Sequence, residues 1–232
     1  MKNFASSFSL FVLFLSLYTD GIASPPSIIK EIQNQNLTML SPSRLHWLWL
    51  CMEDVEQNNI SGDFIETGVW KGGATILMRA FLKTKEDKNR NVWVADSFQG
   101  FPDTARANEL NCNNTVYPYI IVSSDEVKNN FRKFNLLDNQ VCFLEGFFKD
   151  TLPNAPISEL AILRLDGDLY ESTMDALTNL YPKLSIGGYV IIDDYGYWPG
   201  CRDAVEDFRQ ANDITNEIIW EDDTGVHWKK TN

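Results

Sequence analysis

Histidine is nearly absent from this chain, and its few cysteines are widely spaced. The 232 residues include two histidines and four cysteines, and no two cysteines form a CxxC pair. Zinc sites in proteins draw mainly on these two residue types at short spacings, so the composition argues against zinc. The spacing of the cysteines leaves two alternatives open, namely one or two disulfides, or buried free thiols. The cysteines are Cys51, Cys112, Cys142 and Cys201.

Basic residues are also scarce. Lys and Arg total 20 against 32 Asp and Glu, the net charge is −12, and no block of Lys or Arg occurs. A face that binds nucleic acid needs clustered positive charge to neutralise phosphates, so the sequence argues against that class and favours a small-molecule ligand. Because 44% of the residues are hydrophobic, a chain of this length can bury one sizeable core.

The longest apolar run lies at the N-terminus. Lys2 precedes the run from Phe8 to Tyr18, and the small residues of Gly21-Ile22-Ala23 follow. This layout is typical of a secretory signal peptide, predicted over residues 1–23, with residues 24–232 as a single domain in the secretory pathway or outside the cell. The run is shorter than the about 20 residues of a membrane span, and an uncleaved anchor is the alternative. Three glycosylation sequons agree with that route: Asn36, Asn59 and Asn113.

Strand-like and helix-like segments alternate through the rest of the chain. Short apolar runs predict strands over 63–66, 91–96, 141–144, 160–165 and 188–192, and apolar residues at helical spacing predict helices over 42–55, 74–82, 127–134, 174–184 and 201–211. This alternation indicates an α/β fold with a doubly wound, mostly parallel sheet. Residues 217–220 and 226–229 predict a closing antiparallel hairpin. The long polar stretch 102–124 predicts either a lid over the site or a disordered surface insertion.

Aspartates follow two of the predicted buried strands. Asp166 comes directly after strand 160–165, and Asp193 and Asp194 follow strand 188–192. If these strands are neighbours, their carboxyl ends meet and the three carboxylates converge. A divalent cation offsets the repulsion among them, and oxygen-only ligands favour Mg²⁺ over zinc. The alternative is that these aspartates cap the turns or helices after the strands.

A glycine-containing loop joins the first predicted strand to its helix. Glu66 ends that strand, Gly68 follows in the loop, and Asp96 ends the second strand. The loop lacks the GxGxxG spacing of dinucleotide-binding proteins, which disfavours an NAD-dependent enzyme. An acid at the end of the second strand can accept the hydroxyls of a ribose, and an acid at the first loop can pair with an ammonium group. Together they favour S-adenosylmethionine, which carries both groups and no phosphate.

Long stretches of the chain resemble the macrocin O-methyltransferase family. The similarity is carried by 63–73, 92–102, 150–153, 163–173, 187–196 and 200–202, and it extends over most of the chain from about Thr38 to Lys229. The resemblance implies a Rossmann-like class I methyltransferase that uses S-adenosylmethionine and Mg²⁺ and self-associates. It implies metal ligands at Asp166, Asp193 and Asp194, and cofactor contacts at Thr38, Glu66, Gly68, Asp96, Ser97, Ser123 and Gly167.

The predicted reaction is transfer of a methyl group to a hydroxyl of a sugar or of a glycosylated small molecule. A metal bound to the hydroxyl lowers its pKa, and Asp166 is the predicted proton acceptor. The alternative is a secreted, non-catalytic binding protein on a methyltransferase scaffold, because fold alone does not fix function.

Overall fold

A computed structural model describes residues 27–103 and 106–232 of the protein. The predicted signal peptide lies outside the described residues. Strands of the sheet are β1 Asp63–Thr67, β2 Val92–Asp96, β3 Val141–Glu145, β4 Leu160–Leu165, β5 Leu184–Ile192, β6 Ile219–Trp220 and β7 Val226–Lys229. Helices are α1 Ser27–Asn34, α2 Pro42–Gln57, α3 Gly73–Thr84, α4 Ser124–Lys133, α5 Phe148–Thr151, α6 Tyr170–Leu180 and α7 Pro199–Ala211.

The seven strands form one sheet in the order β3-β2-β1-β4-β5-β7-β6. Strands β1 to β5 pair in parallel, and β7 runs antiparallel to both β5 and β6. The predicted doubly wound sheet and closing hairpin are confirmed. Strand order reverses beside β1, which lies between β2 and β4, and ligands of open α/β sheets bind at such a switch point.

Buried apolar side chains cover both faces of the sheet. One cluster joins the sheet to α1, α2, α3 and α4, and the other joins it to α6 and α7. All six residues of β4 are buried, as expected for a central parallel strand. In α2 the Ser41 side chain accepts a hydrogen bond from the Arg44 backbone N–H, and Pro42 opens the helix as predicted. The cysteines are free thiols in the structure.

One predicted helix boundary is wrong. The apolar spacing predicted that the helix after β4 continues to Leu184, whereas α6 ends at Leu180 and Leu184 begins β5. Pro182 lies in the 3₁₀ turn between α6 and β5. The helix ends before it because proline lacks the backbone N–H that would continue the helical hydrogen bonds.

The long polar segment packs against the body of the protein over its described part, residues 106–123. Cys112 and Val122 are buried, and a short 3₁₀ turn spans Pro118–Ile120. This packing favours a binding loop over a disordered insertion. No helix in the described ranges is long and apolar enough to cross a membrane.

Candidate active site

Strand register brings the functional loops to one edge of the sheet. Thr67 pairs with Leu165, and Leu165 pairs with Ile192, so the residues that follow β1, β4 and β5 emerge side by side. The Asp166 backbone N–H donates to Thr67, and that of Asp193 donates to Leu165. The predicted convergence of these loops is therefore present.

Gly68 permits the closest approach between two of these loops. Its φ is +86°, a conformation that side chains disfavour, and a Cβ placed there would lie 1.7 Å from the Asp166 carbonyl oxygen. Only glycine fits at this point. The loop after β1 is thus held directly against the first aspartate of the acidic cluster.

The acidic cluster consists of Asp166, Asp168 and Asp194. Each offers a carboxylate oxygen, and these oxygens all lie within 4.8 Å of one another. Sequence reasoning named Asp166 and Asp194 but missed Asp168 as a site residue. The signal available for Asp168 was the Asp-Gly-Asp spacing, which keeps the side chains of Asp166 and Asp168 on one short loop. The backbone of Asp168 has a positive φ of 58°.

Asp193 lies beside the cluster, but its carboxylate is bound by two arginines. One oxygen accepts from Arg164, and the other accepts from Arg44 Nη1 at 2.7 Å. Arg44, which comes from α2, also binds Asp222 in the turn between β6 and β7 through its Nε at 2.6 Å. Helix α2, the acidic loops and the C-terminal hairpin are therefore linked through one guanidinium.

Arg164 carries the positive charge at the centre of the site. Its side chain is 2% exposed, although it lies in a strand that is otherwise apolar. Its Nη1 binds Glu66 Oε1 at 2.5 Å and Asp166 Oδ2 at 2.8 Å, and its Nη2 binds Asp193. A lone arginine in an apolar run was the signal available for this residue, because a buried charge requires partners.

Glu66 is a buried carboxylate with one free acceptor. Burial raises its pKa to about 8, and the Arg164 guanidinium opposes that increase. Its Oε2 has no hydrogen-bond partner within the described structure. An unpaired buried carboxylate oxygen is costly, and it fits a ligand that brings a positively charged donor.

The electrostatics of the acidic cluster favour a bound cation. Burial raises the pKa of Asp168 and of Asp194 well above the ordinary value, and nearby aspartates add to both shifts. Burial and the charge of Asp166 also raise the pKa of Asp193 to about 6, against the effect of Arg164 and Arg44. Oδ2 of Asp194 is buried without a partner in the described residues. A hard divalent ion matches this oxygen-only donor set.

Asp96 organises the loop after β1. Its two oxygens accept from the backbone N–H groups of Val69 and Phe98, each at 2.8 Å. Burial raises its pKa, and these backbone hydrogen bonds oppose the shift. Asp96 lines the first of the two cavities described below, where its carboxylate faces a ligand.

Two adjoining cavities open at this edge of the sheet. The first, about 360 Å³, is lined by Gly68, Asp96, Ser97 and Gly167 among others, and the second, about 440 Å³, is lined by Thr38, Glu66 and Asp194 among others. Asp166 and Asp168 face both cavities. Ser123 lines neither; its Oγ accepts from the Glu126 backbone N–H and caps α4.

Aromatic side chains line the open side of the second cavity. Tyr117 packs edge-on against Tyr119 and Trp198, with ring centroids 6.1 and 5.9 Å apart, and Trp198 packs against Tyr197 at 5.0 Å. Tyr119 and Tyr197 are mostly exposed. The cavity therefore joins an acidic floor to an apolar wall.

Comparison with known proteins identifies the family. Residues 30–230 match the family model described as macrocin-O-methyltransferase (TylF). A demethyldecarbamoylnovobiocin O-methyltransferase from Streptomyces niveus is 54% identical over 201 residues, which cover 84% of this chain and 76% of that protein. An 8-demethyl-8-(2,3-dimethoxy-alpha-L-rhamnosyl)-tetracenomycin-C 4'-O-methyltransferase from Streptomyces olivaceus is 50% identical over 201 residues, with the same two coverages.

Solved structures agree with the sequence comparison. The structure of the O-methyltransferase NovP superposes with a TM-score of 0.82 at 53% identity and covers 84% of this chain and 82% of its own. A calicheamicin methyltransferase, CalS11, shares the fold with a TM-score of 0.63 at 18% identity and covers 99% of this chain and 94% of its own. The chain belongs to the macrocin O-methyltransferase family and is an S-adenosylmethionine-dependent O-methyltransferase.

Proposed function

We propose that this enzyme methylates a hydroxyl group on the sugar of a glycosylated small molecule, with the help of Mg²⁺. The observation that carries the proposal is the acidic cluster, in which one buried oxygen of Asp194 has no partner within the described residues. The cluster lies against the loop after β1 and faces the open cavity with the aromatic wall. The relative from Streptomyces olivaceus, whose name places a rhamnosyl group on its tetracenomycin substrate, supports the substrate class.

For the cofactor we propose two anchoring carboxylates. Glu66 Oε2, which lacks a partner, accepts from the ammonium group, and Asp96 accepts from the ribose hydroxyls. The walls of the first cavity, which Asp96 also lines, include Ser97, Gly167 and Gly68. Thr38 packs over Gly73 at the start of α3, where a Cβ would lie 2.6 Å from the threonine Cβ, and it closes the second cavity. Ser123, which lines neither cavity, is left out of this set.

For the metal we propose Asp166, Asp193 and Asp194, as the sequence predicted. Asp166 and Asp194 belong to the cluster itself. Asp193 is held in a fixed orientation by Arg164 and Arg44, and each of its oxygens keeps a lone pair for a metal. When bound, Mg²⁺ would polarise the acceptor hydroxyl and lower its pKa.

Asp168 is better suited than Asp166 to accept the proton. Arg164 binds the Asp166 carboxylate at 2.8 Å, and the proposed metal uses the same carboxylate, so fewer of its lone pairs are left for a proton. In contrast, Asp168 is outside the set assigned to the metal, although its carboxylate lies within 4.8 Å of those of Asp166 and Asp194. Burial raises the pKa of Asp168, and the charge of Asp166 adds to the shift. Asp168 faces both cavities, so its carboxylate is next to the proposed cofactor contacts and to the cavity with the aromatic wall.

The first experiment measures methyl transfer from labelled S-adenosylmethionine to a panel of glycosides, with and without Mg²⁺. Asp168→Asn should bind cofactor and Mg²⁺ like the wild type and lose turnover about 10²- to 10⁴-fold. Asp166→Asn and Asp194→Asn should lose Mg²⁺ binding by calorimetry. The matched control is Asp125→Asn, an exposed carboxylate at the start of α4.

The outcomes separate the parts of the proposal. Near-normal turnover of Asp168→Asn would refute its role as the base, and loss of Mg²⁺ binding in the same variant would make it a ligand. If S-adenosylmethionine does not raise the melting temperature of the wild-type chain, cofactor use itself fails, since a ligand of the native state must stabilise it. The non-catalytic alternative gains no support, because the chain keeps both the glycine loop and the acidic cluster.

The cellular location and assembly state are separate proposals. We propose that residues 1–23 direct the chain into the secretory pathway, on the charge and apolar pattern of that segment. N-terminal sequencing of the chain recovered from the medium of expressing eukaryotic cells should begin at Ser24. An intact N-terminus in a cytosolic fraction would contradict this. Self-association, implied by the family resemblance, is checked by sedimentation of the mature chain.

A further inference from the structure

Helix α6 begins without a side-chain cap of its own. Its N-cap residue is Leu169, which has no side chain able to accept a hydrogen bond from the free N–H groups of the first turn. Asp168 comes directly before it, and the Leu169 N–H turns back onto the Gly167 carbonyl at 2.6 Å. The position of the Asp168 carboxylate therefore depends on how the start of α6 is held.

Glu109 supplies the missing cap from another part of the chain. Its side chain is 3% exposed, and Oε1 accepts from the Tyr170 backbone N–H at 2.7 Å. Glu109 lies 61 residues earlier, in the packed segment 106–123. A carboxylate is favoured at this point because the N-terminus of a helix carries partial positive charge.

The same carboxylate also meets the start of α7. A Cβ at Gly200 would lie 1.7 Å from Glu109 Oε1 and 3.2 Å from the Tyr170 backbone nitrogen, so glycine allows three segments to meet here. Helix α7 follows the loop that carries Asp194. Glu109 thus lies between the starts of the two helices that follow Asp168 and Asp194.

Neighbouring contacts join the same three segments. Arg106 stacks on the Tyr170 ring at 3.6 Å and reaches Asp203 of α7 at 3.6 Å. The Tyr170 hydroxyl donates to Asp207 of α7 at 2.9 Å. These contacts lie nearer the surface, whereas Glu109 is the buried member next to the acidic loops.

We propose that Glu109 is a positioning residue that sets the spacing between Asp168 and Asp194. It lines neither cavity, so it acts through the starts of α6 and α7 and not by contact with a ligand. The inference rests on the proposed function, because the spacing matters for a metal and a base held by these loops. Substitution of a residue that supports the ligands of a metal site commonly lowers metal affinity or activity by about 10- to 100-fold.

The test is calorimetric titration of the mature chain with Mg²⁺ alone and, separately, with S-adenosylmethionine. Glu109→Ala should weaken Mg²⁺ binding about tenfold or more through displacement of Asp194, and it should lower kcat through displacement of Asp168, while cofactor affinity stays within about twofold of wild type. Glu109→Gln keeps an acceptor oxygen for the Tyr170 N–H and should recover most of the Mg²⁺ affinity. The matched control is Asp203→Asn, a change on the exposed side of the same contact region.

Clear results would overturn the inference. If Glu109→Ala melts at a lower temperature but binds Mg²⁺ and turns over like the wild type, Glu109 is only a stabilising residue. If that variant does not fold, Glu109→Asp, which withdraws the carboxylate by one methylene, takes its place and should show the same loss of Mg²⁺ affinity. A wild-type chain that binds no Mg²⁺ refutes the metal proposal together with this one, whereas unaltered binding in the variants refutes this one alone.

Discussion

Replacing Arg164 with methionine removes the central positive charge of the site. In the wild type its guanidinium binds Glu66, Asp166 and Asp193, and the side chain is 2% exposed. Methionine fills a similar volume without charge, so Glu66 and Asp166 lose their arginine partner, and Asp193 keeps only Arg44. Removing one partner of a buried ion pair costs about 3–5 kcal/mol, and we expect a loss of that size at pH 8 in a chelator.

The loss should depend on pH in a defined direction. Burial raises the pKa of Glu66 to about 8 and contributes most to raising that of Asp193 to about 6 in the folded protein. A carboxyl group whose folded pKa is raised costs stability as pH rises from its unfolded pKa through the folded one. Without Arg164 those folded pKa values rise further. The difference between wild type and variant should therefore be largest near pH 8 and shrink toward pH 5, where the carboxyls are protonated.

Urea unfolding of both chains at pH 5 and pH 8 measures the free energies directly. Adding Glu66→Gln to Arg164→Met removes the carboxyl group that must take up a proton on folding, and it should recover about 1–2 kcal/mol at pH 8. Arg164→Lys keeps the positive charge but not the paired N–H donors of the guanidinium, so its free energy of unfolding should fall between those of wild type and Arg164→Met. A loss that is equal at both pH values would refute the reasoning, because it would place the cost in packing and not in charge.

Three further predictions concern the rest of the described structure. Gly68→Ala should cost about 2–4 kcal/mol by thermal unfolding and abolish cofactor binding, because its Cβ would lie 1.7 Å from the Asp166 oxygen at a φ of +86°; unchanged stability would contradict so close an approach of the two loops. Glu66→Gln should weaken the binding of S-adenosylmethionine about tenfold by calorimetry, because the charge that faces the ammonium group is lost; equal affinity would remove Glu66 from the cofactor site. Asp138→Asn should cost about 1–2 kcal/mol at pH 7, because the carboxylate binds buried Arg79 at 3.0 and 2.6 Å but is 38% exposed. The Arg79 hydrogen bond lowers the pKa of Asp138, so this contribution is present above about pH 4 and is lost as pH falls through the folded pKa. A difference between wild type and variant that does not shrink as pH falls below about 4 would contradict it.

Local sequence signals were sufficient for most of the sheet and for part of the site. Apolar runs located β1 to β5, and Ser41-Pro42 located the start of α2. Because parallel strands present their following residues at one edge, the chain positions of Glu66 and Asp166 place them at the same edge of the sheet, and the pairing of β1 with β4 brings them together. The error at Leu184 arose where Pro182 overrides an apolar helical spacing.

Local periodicity and backbone preference were enough to predict the helices and strands, the order in which they alternate and the acids near the strand ends. Which charges pair follows from the three-dimensional packing. Arg164 reaches Glu66 over 98 residues, Arg44 reaches Asp193 over 149, and Glu109 reaches Tyr170 over 61. Such pairings depend on packing between distant segments, which local patterns do not encode. The same packing brought Asp168 into the acidic cluster and placed two arginines on Asp193.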